Sequence, residues 1–322
     1  STETERTQPP PRYCRAAYVY YMIFMSSENN PFDGARAAQG ADADDRLLYA
    51  RAEELLSKSG RGELAATRFL TPRQQKLVFD FCRTRGSADR LTFYGGAVGA
   101  DRRMAVFLPS WAADMTDCPA PTEIFGEAGT RREEFFSDIL QNCGLWEGFS
   151  ELIVPVFVEG SGYASLTHRD LLGSVLALGL RREVIGDIIV TKDSSACIMA
   201  CPEAAKLILS ELHRVGRDTV KVRPAEHGDI KIERHFENIT STVAAPRLDG
   251  VVRALCSVSR EDAASLVLSG KAELNYLTVQ QPDRKVAPGD ILSVRGYGKF
   301  IIDRCEDETR RGRLRLEARK YI

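Results

Sequence analysis

Residues 247–271 read Arg247-Leu-Asp-Gly-Val-Val-Arg-Ala-Leu-Cys-Ser-Val-Ser-Arg260-Glu-Asp-Ala-Ala-Ser-Leu-Val-Leu-Ser-Gly-Lys271. Two short helices are written into this stretch. The first covers 248–256. Ser259 opens the second, 260–268, by offering its side-chain oxygen to the first unpaired amides. Glu261 and Asp262 stand in its first turn, where the helix dipole favours acids, and Ser269-Gly270 ends it. Outward from here the chain alternates strands and turns: a strand over 271–279, a turn at Pro288-Gly-Asp290, and a strand over 291–295. Gly296-Tyr297-Gly298 then turns the chain into a strand over 300–304. A last strand is expected over 313–318, behind the basic loop Arg310-Arg311-Gly312.

The ordered set Arg247-Leu-Asp249, Ser259-Arg260, Ser269-Gly-Lys271, Asn275, Pro288-Gly-Asp290 and Ser293-Val-Arg295 resembles the S4 RNA-binding domain. In that family two helices and an adjoining strand form one basic face for folded RNA. The resemblance implies that Arg247, Arg253, Ser259, Arg260, Lys271, Asn275, Arg295, Tyr297 and Lys299 contribute to it. The chemistry is suited to the task. A guanidinium offers a forked donor to phosphate oxygens, and a helix start presents free N–H groups to anions.

Upstream, the order of elements is also legible. A strand over 151–158 is followed by a helix over 167–180, with Leu171, Leu172, Val175, Leu176 and Leu178 on its apolar face. Strands over 187–191 and 196–200 flank the turn at residues 192–195. Pro202 opens a helix to about 215, and 219–222 closes the unit as a strand. This β-α-β-β-α-β order is that of an RRM-like sandwich. Such sheets stack bases on exposed aromatics, and Phe157 is the only obvious aromatic on these strands. Before it, 46–148 reads as a helix-rich α/β unit. Thr71 and Pro72 start a helix over 73–82, and 91–94 and 104–108 are strands joined by a glycine-rich turn at 95–99. The polar stretch 237–242 reads as a linker, and residues 1–45 as a disordered tail. The fold class expected is α+β, divided into 46–148, 149–236 and 246–322.

The formal net charge is −1, but its distribution is uneven. Residues 246–322 hold fifteen Lys/Arg against eleven Asp/Glu, a basic end on a mildly acidic body, which points to a polyanionic partner. The eight cysteines are scattered without metal-ligand spacing, which implies reduced thiols and no metal site. The apolar run 16–25 is too short to span a bilayer, and no other window approaches that length, so no membrane partner is expected.

Several further motifs extend the resemblance over residues 69–322. They are Phe69-Leu-Thr-Pro-Arg-Gln-Gln75, Phe93-Tyr-Gly-Gly96 with Arg102-Arg103, Leu166-Thr-His-Arg-Asp-Leu-Leu-Gly173, Gly179-Leu-Arg-Arg-Glu183 with Ile185-Gly-Asp187, and Ser293-Val-Arg-Gly-Tyr-Gly-Lys299. Together they resemble the YlmH family of bacterial and plastid proteins. The resemblance implies a non-enzymatic, cofactor-free monomer of the cytoplasm or plastid stroma. Its implied partners are ribosomal RNA and tRNA on the large subunit, and its implied role is rescue of stalled translation. Lys299 and Tyr276 stand where the family would lead one to expect Arg and an indole. A second phosphate-binding patch is expected at His168, Arg169, Arg181 and Arg182, unless these residues cap and pair within the fold. Four or five phosphate contacts would cut affinity by roughly one to two orders of magnitude between ~50 and ~200 mM salt.

Enzyme-like signals are weaker. His168-Arg-Asp170 lacks the other parts of a kinase site, and Gly95-Gly96…Gly99 lacks dinucleotide spacing. Arg247-Leu-Asp249 resembles the catalytic triplet of pseudouridine synthases, but a helical run follows where those enzymes have a loop. An RNA-modifying enzyme and a ribosome assembly factor are the alternative readings.

Overall fold

A computed structural model describes residues 43–97, 99–111, 151–163, 165–191, 194–226, 236–308 and 312–321. Of the tail expected over 1–45, residues 1–42 lie outside the described residues, as does the basic pair Arg310-Arg311, whereas 43–45 open a helix rather than extend a tail. The fold is α+β, as read from the sequence: among the described residues, helices and antiparallel sheets build three hydrophobic clusters.

The first unit holds α1 (Ala43–Gly60), β1 (Ala65–Ala66), α2 (Pro72–Thr84), β2 (Leu91–Tyr94) and β3 (Met104–Phe107). The start of α2 is a reciprocal cap. The Gln74 amide donates to the Thr71 hydroxyl at 3.3 Å, and the Thr71 amide donates to the Gln74 side chain at 2.9 Å. Gln75, Val78, Phe79 and Cys82 then fall on one buried stripe at helical spacing. The strands form a sheet of order β1-β3-β2. Strand β3 is buried on both faces. Ala105 and Phe107 pack towards the helices, whereas Met104, Val106 and Leu108 join the core of the next unit.

That next unit runs β4 (Val154–Gly160), α3 (His168–Ala177), β5 (Ile185–Val190), β6 (Ser195–Ala200), α4 (Pro202–Glu211), β7 (Arg214–Val215) and β8 (Asp218–Pro224). Its antiparallel sheet has the order β5-β6-β4-β8-β7. Thr167 caps α3 by accepting from the Asp170 amide at 3.1 Å. Helix α4 ends at Glu211, earlier than expected, and residues 214–218 form a tight hairpin through Gly216 at φ 59°. Val156, Val158, Ala196 and Ile198 share one face with the helix residues Leu171, Val175 and Ile208 in a single core. The other face meets the first unit. A Cβ on Gly186 would lie 2.5 Å from Phe69, and one on Gly96 would lie 2.8 Å from the Met199 sulfur. These backbones approach more closely than any side chain permits. The two units therefore share one core across the boundary expected near 148.

The last unit is a six-stranded antiparallel sheet, order β11-β10-β12-β13-β14-β9, packed by two helices. It comprises β9 (Phe236–Val243), α5 (Leu248–Cys256), α6 (Arg260–Leu268), β10 (Ala272–Leu274), β11 (Leu277–Thr278), β12 (Ile291–Val294), β13 (Gly298–Glu308) and β14 (Leu314–Tyr321). Two expectations are corrected here. The stretch 237–242 is no linker but the body of β9, paired along its length with β14. Asn238, Thr240 and Thr242 face out, while Ile239 and Val243 pack with Leu316 and Ala318. The single strand expected over 271–279 is a hairpin. Asn275 and Tyr276 both adopt positive φ, 50° and 65°, and turn β10 back into β11. The Asn275 side chain anchors the turn, donating to Asp290 at 2.8 Å and accepting from the Ile291 amide at 2.9 Å.

Candidate nucleic-acid interface

An open groove of about 870 Å³ lies where the end of β9 meets α5 and the start of α6. Four arginines line it: Arg247, Arg253, Arg260 and Arg313. The start of α5 has no side-chain cap. It is held instead by the 282–286 loop, where Leu248 donates to the Arg284 carbonyl and Asp249 to the Pro282 carbonyl, at 2.8 and 2.9 Å. Leu248, Val251, Val252 and Leu255 point into the core, so Arg247 and Arg253 are turned outward by the same helical period. Ser257 in the left-handed region, φ 54°, ends α5 and swings the chain so that Arg260 opens α6 beside the same groove.

The charges in the groove are unequal in availability. Arg247 clamps Asp249 with two hydrogen bonds, 3.1 and 3.0 Å, and the Gly250 amide adds a third at 2.8 Å. The Arg247 guanidinium holds the Asp249 carboxyl below the usual carboxylate range, against the opposing effect of burial; the charge of Arg260 acts in the same direction as Arg247. Arg313 donates to the Thr242 carbonyl at 2.8 Å, which pins it across the strand end. Arg253 and Arg260 are exposed, and among the described residues neither is paired with a carboxylate. Among the described lining residues Asp249 is the one carboxylate, and Arg253 and Arg260 give this end of the groove a positive field.

The other residues expected on this face disperse. Ser259 caps α6, but the Asp262 carboxylate takes its hydroxyl at 2.7 Å, so this helix start already holds an anion. Lys271 and Arg295 are exposed neighbours outside the groove lining, joined by the Arg295 amide donating to the Lys271 carbonyl at 2.9 Å. Asn275 is spent on its turn. Tyr297 stands 37% exposed at the β12–β13 turn. Lys299 lies between the rings of Tyr276 and Tyr321, 4.8 and 4.7 Å from their centroids, and 3.8 Å from Asp101 of the first unit.

The second patch divides in the same way. His168 and Arg169 are exposed in the first turn of α3. Arg181 is exposed and paired with Glu183 at 2.9 Å. Arg182 is turned inward, donating to the carbonyls of Ile185 and Gly186 at 2.5 and 3.1 Å. Beside it Arg102 donates to the carbonyls of Ile185, Phe69 and Arg182 at 3.1 to 3.3 Å. Burial, with the like charge of Arg182, brings Arg102 down to about 10. Asp187 accepts the amides of Asp101 and Arg102 at 2.6 and 3.1 Å and balances this pair. Arg182 is thus part of the seam between the first two units. The sequence reading missed that role, and it also left Arg313 within a basic run with nothing to single it out. No group of three or more His, Cys, Asp or Glu suited to a metal occurs among the described residues, and no described helix is long and apolar enough to cross a membrane.

Residues 156–229, most of the middle unit, match the family described as "Putative RNA-binding domain in YlmH". The chain is 27% identical over 252 residues to the "Ribosome-associated protein quality control protein P2" of Bacillus subtilis (strain 168), covering 78% of this chain and 84% of that protein. Among solved structures, the "Cell division protein ylmH from Streptococcus pneumoniae" is similar at a TM-score of 0.39 and 19% identity, over 58% of this chain and 93% of that one. The resemblance to the YlmH family carried by the motifs is thus shown, through a family-specific domain at 156–229 and a relative aligned over 252 residues.

Proposed function

We propose that this chain is a non-catalytic RNA-binding protein that acts on the ribosome. It holds ribosomal RNA and tRNA on the large subunit in the rescue of stalled translation. The observation that carries the reading is the groove onto which Arg253 and Arg260 project, unpaired among the described residues, beside Arg247 and Arg313. Guanidinium groups spaced along a groove suit the phosphates of a folded RNA, which proteins recognise by backbone and shape more than by base edges. The likeness to a ribosome-associated quality control protein supports the ribosome as the setting.

In this reading the last unit is an S4-type module, with α5 and α6 as its helix pair. The middle unit is an RRM-like domain. Within it β5, β6, β4 and β8 lie side by side in that order, with the two-residue β7 outside β8, and a helix follows β4 and another follows β6; this supports the assignment. The pseudouridine-synthase reading is the less favoured one. Asp249, its would-be catalytic group, is committed through both oxygens to Arg247.

The test is the salt dependence of binding to a structured ribosomal RNA fragment. Four phosphate contacts predict a slope of log K against log salt of about −3. Arg253→Ala lowers its magnitude by roughly 0.8 and weakens all structured RNAs alike. A slope near zero, or an unchanged slope in the variant, contradicts the assignment.

A further inference from the structure

Tyr163 is 91% exposed, the most exposed large hydrophobic side chain among the described residues. A phenol ring left in water forgoes the burial that usually places it. It stands in the loop from β4 to α3, and the root of that loop is fixed. Gly160 donates its amide to the Ser194 carbonyl at 3.0 Å. Ser161 gives both its amide and its hydroxyl to the carboxylate of Asp218, which is 3% exposed. A Cβ on Gly160 would lie 2.8 Å from Ser194 and 2.9 Å from Asp218, so glycine is needed for this closure. The root is anchored and the ring projects.

Exposed cations stand on the two elements next to this loop. His168 and Arg169 are exposed in the first turn of α3. Arg217 is exposed in the β7–β8 turn, next to the Asp218 that holds the loop root. That turn abuts α3, since a Cβ on Gly216 would lie 3.9 Å from Asp170. Among the described residues, Asp218 accepts from Ser161, and Asp170 from the Thr167 hydroxyl at 2.5 Å. Glu159 lies opposite Lys221 in the sheet.

The alternative surface for bases, the face of the sheet away from its helices, is partly covered. Phe157, the only other aromatic between 151 and 226, is half-buried with the Arg223 guanidinium 4.3 Å above its ring. Around Met199 and Gly186, Phe69 and Gly96 of the first unit occupy the face.

We infer that this loop end is a binding site for single-stranded RNA. Tyr163 stacks on an unpaired base, and His168, Arg169 and Arg217 hold the flanking phosphates. Stacking on a ring tolerates any base, so the ligand class is an unpaired strand without sequence preference. The inference rests on the RNA-binding reading above, and adds a second contact, of different ligand class, to the groove that takes folded RNA.

The experiment measures binding of the full chain to a 12-nucleotide oligoadenylate and to a 12-base-pair RNA duplex by fluorescence anisotropy. Tyr163→Ala is expected to weaken oligoadenylate binding about tenfold while duplex binding stays within about twofold. Tyr163→Phe should restore it, because the ring and not the hydroxyl makes the contact. Arg253→Glu/Arg260→Glu should show the reverse pattern. Oligoadenylate binding unchanged in Tyr163→Ala, with duplex binding intact and groove-dependent, overturns the inference and leaves the broader reading standing. No binding of either RNA by the unaltered chain overturns both.

Discussion

At the level of single residues, the sequence is most informative where a side chain acts on its own neighbourhood. Thr71 and Pro72 announce α2 because capping is complete within four residues. Arg102 and Arg182 are the opposite case. They stand eighty positions apart, and only folding shows that both turn inward at the same seam to serve backbone carbonyls. Nothing local distinguishes Arg182 from Arg181, which stays exposed beside Glu183. The seam carries a prediction. Arg102→Ala takes one donor from each of three carbonyls and removes a favourable charge from beside Asp187, at a cost of about 2–3 kcal/mol. Chemical denaturation of the two proteins should show a lower midpoint at unchanged slope. A loss under about 0.5 kcal/mol would mean that the node is ornamental.

Elements were legible where their apolar period is clean. Helices α2 and α5 carry buried stripes that fix both their existence and their orientation, and the strands of the middle unit appear close to where Val, Ile and Ala cluster. Strand β9 was hidden because its composition is polar, with Asn238, Thr240 and Thr242 facing outward. Its place is set by β14, which supplies the register from across the chain. The 271–279 hairpin was hidden for another reason: a tyrosine at positive φ is uncommon, and the turn depends on an asparagine anchored to the remote Asp290. The register of β9 makes the two faces of one strand separable. Val243→Asp places a charge in the core of the last unit and should cost about 3 kcal/mol or more. Thr240→Asp, on the outward face, should stay within about 0.5 kcal/mol. Equal effects in thermal unfolding would mean that β9 is not held as described.

For the whole molecule, the two features on which the proposed function turns are assembled from distant parts. The first and middle units share a core, and their seam covers part of the sheet face on which an RRM-like domain would stack bases. The last unit gathers Arg247, Arg253 and Arg260, which were legible as a set, with Arg313, which was not, because its position is decided by the β14 strand that carries it past Thr242. Lys271, Asn275, Arg295 and Lys299 were read from the same succession of motifs, yet they lie on other parts of the surface or serve the fold. The most direct test of the account is to capture the full chain from lysate, size the particles that come with it and sequence their RNA, alongside Arg253→Glu/Arg260→Glu. The account predicts mature large subunits with tRNA, lost in the double variant. Immature ribosomal precursors, or free RNA with a base modified only when the protein is present, would contradict it.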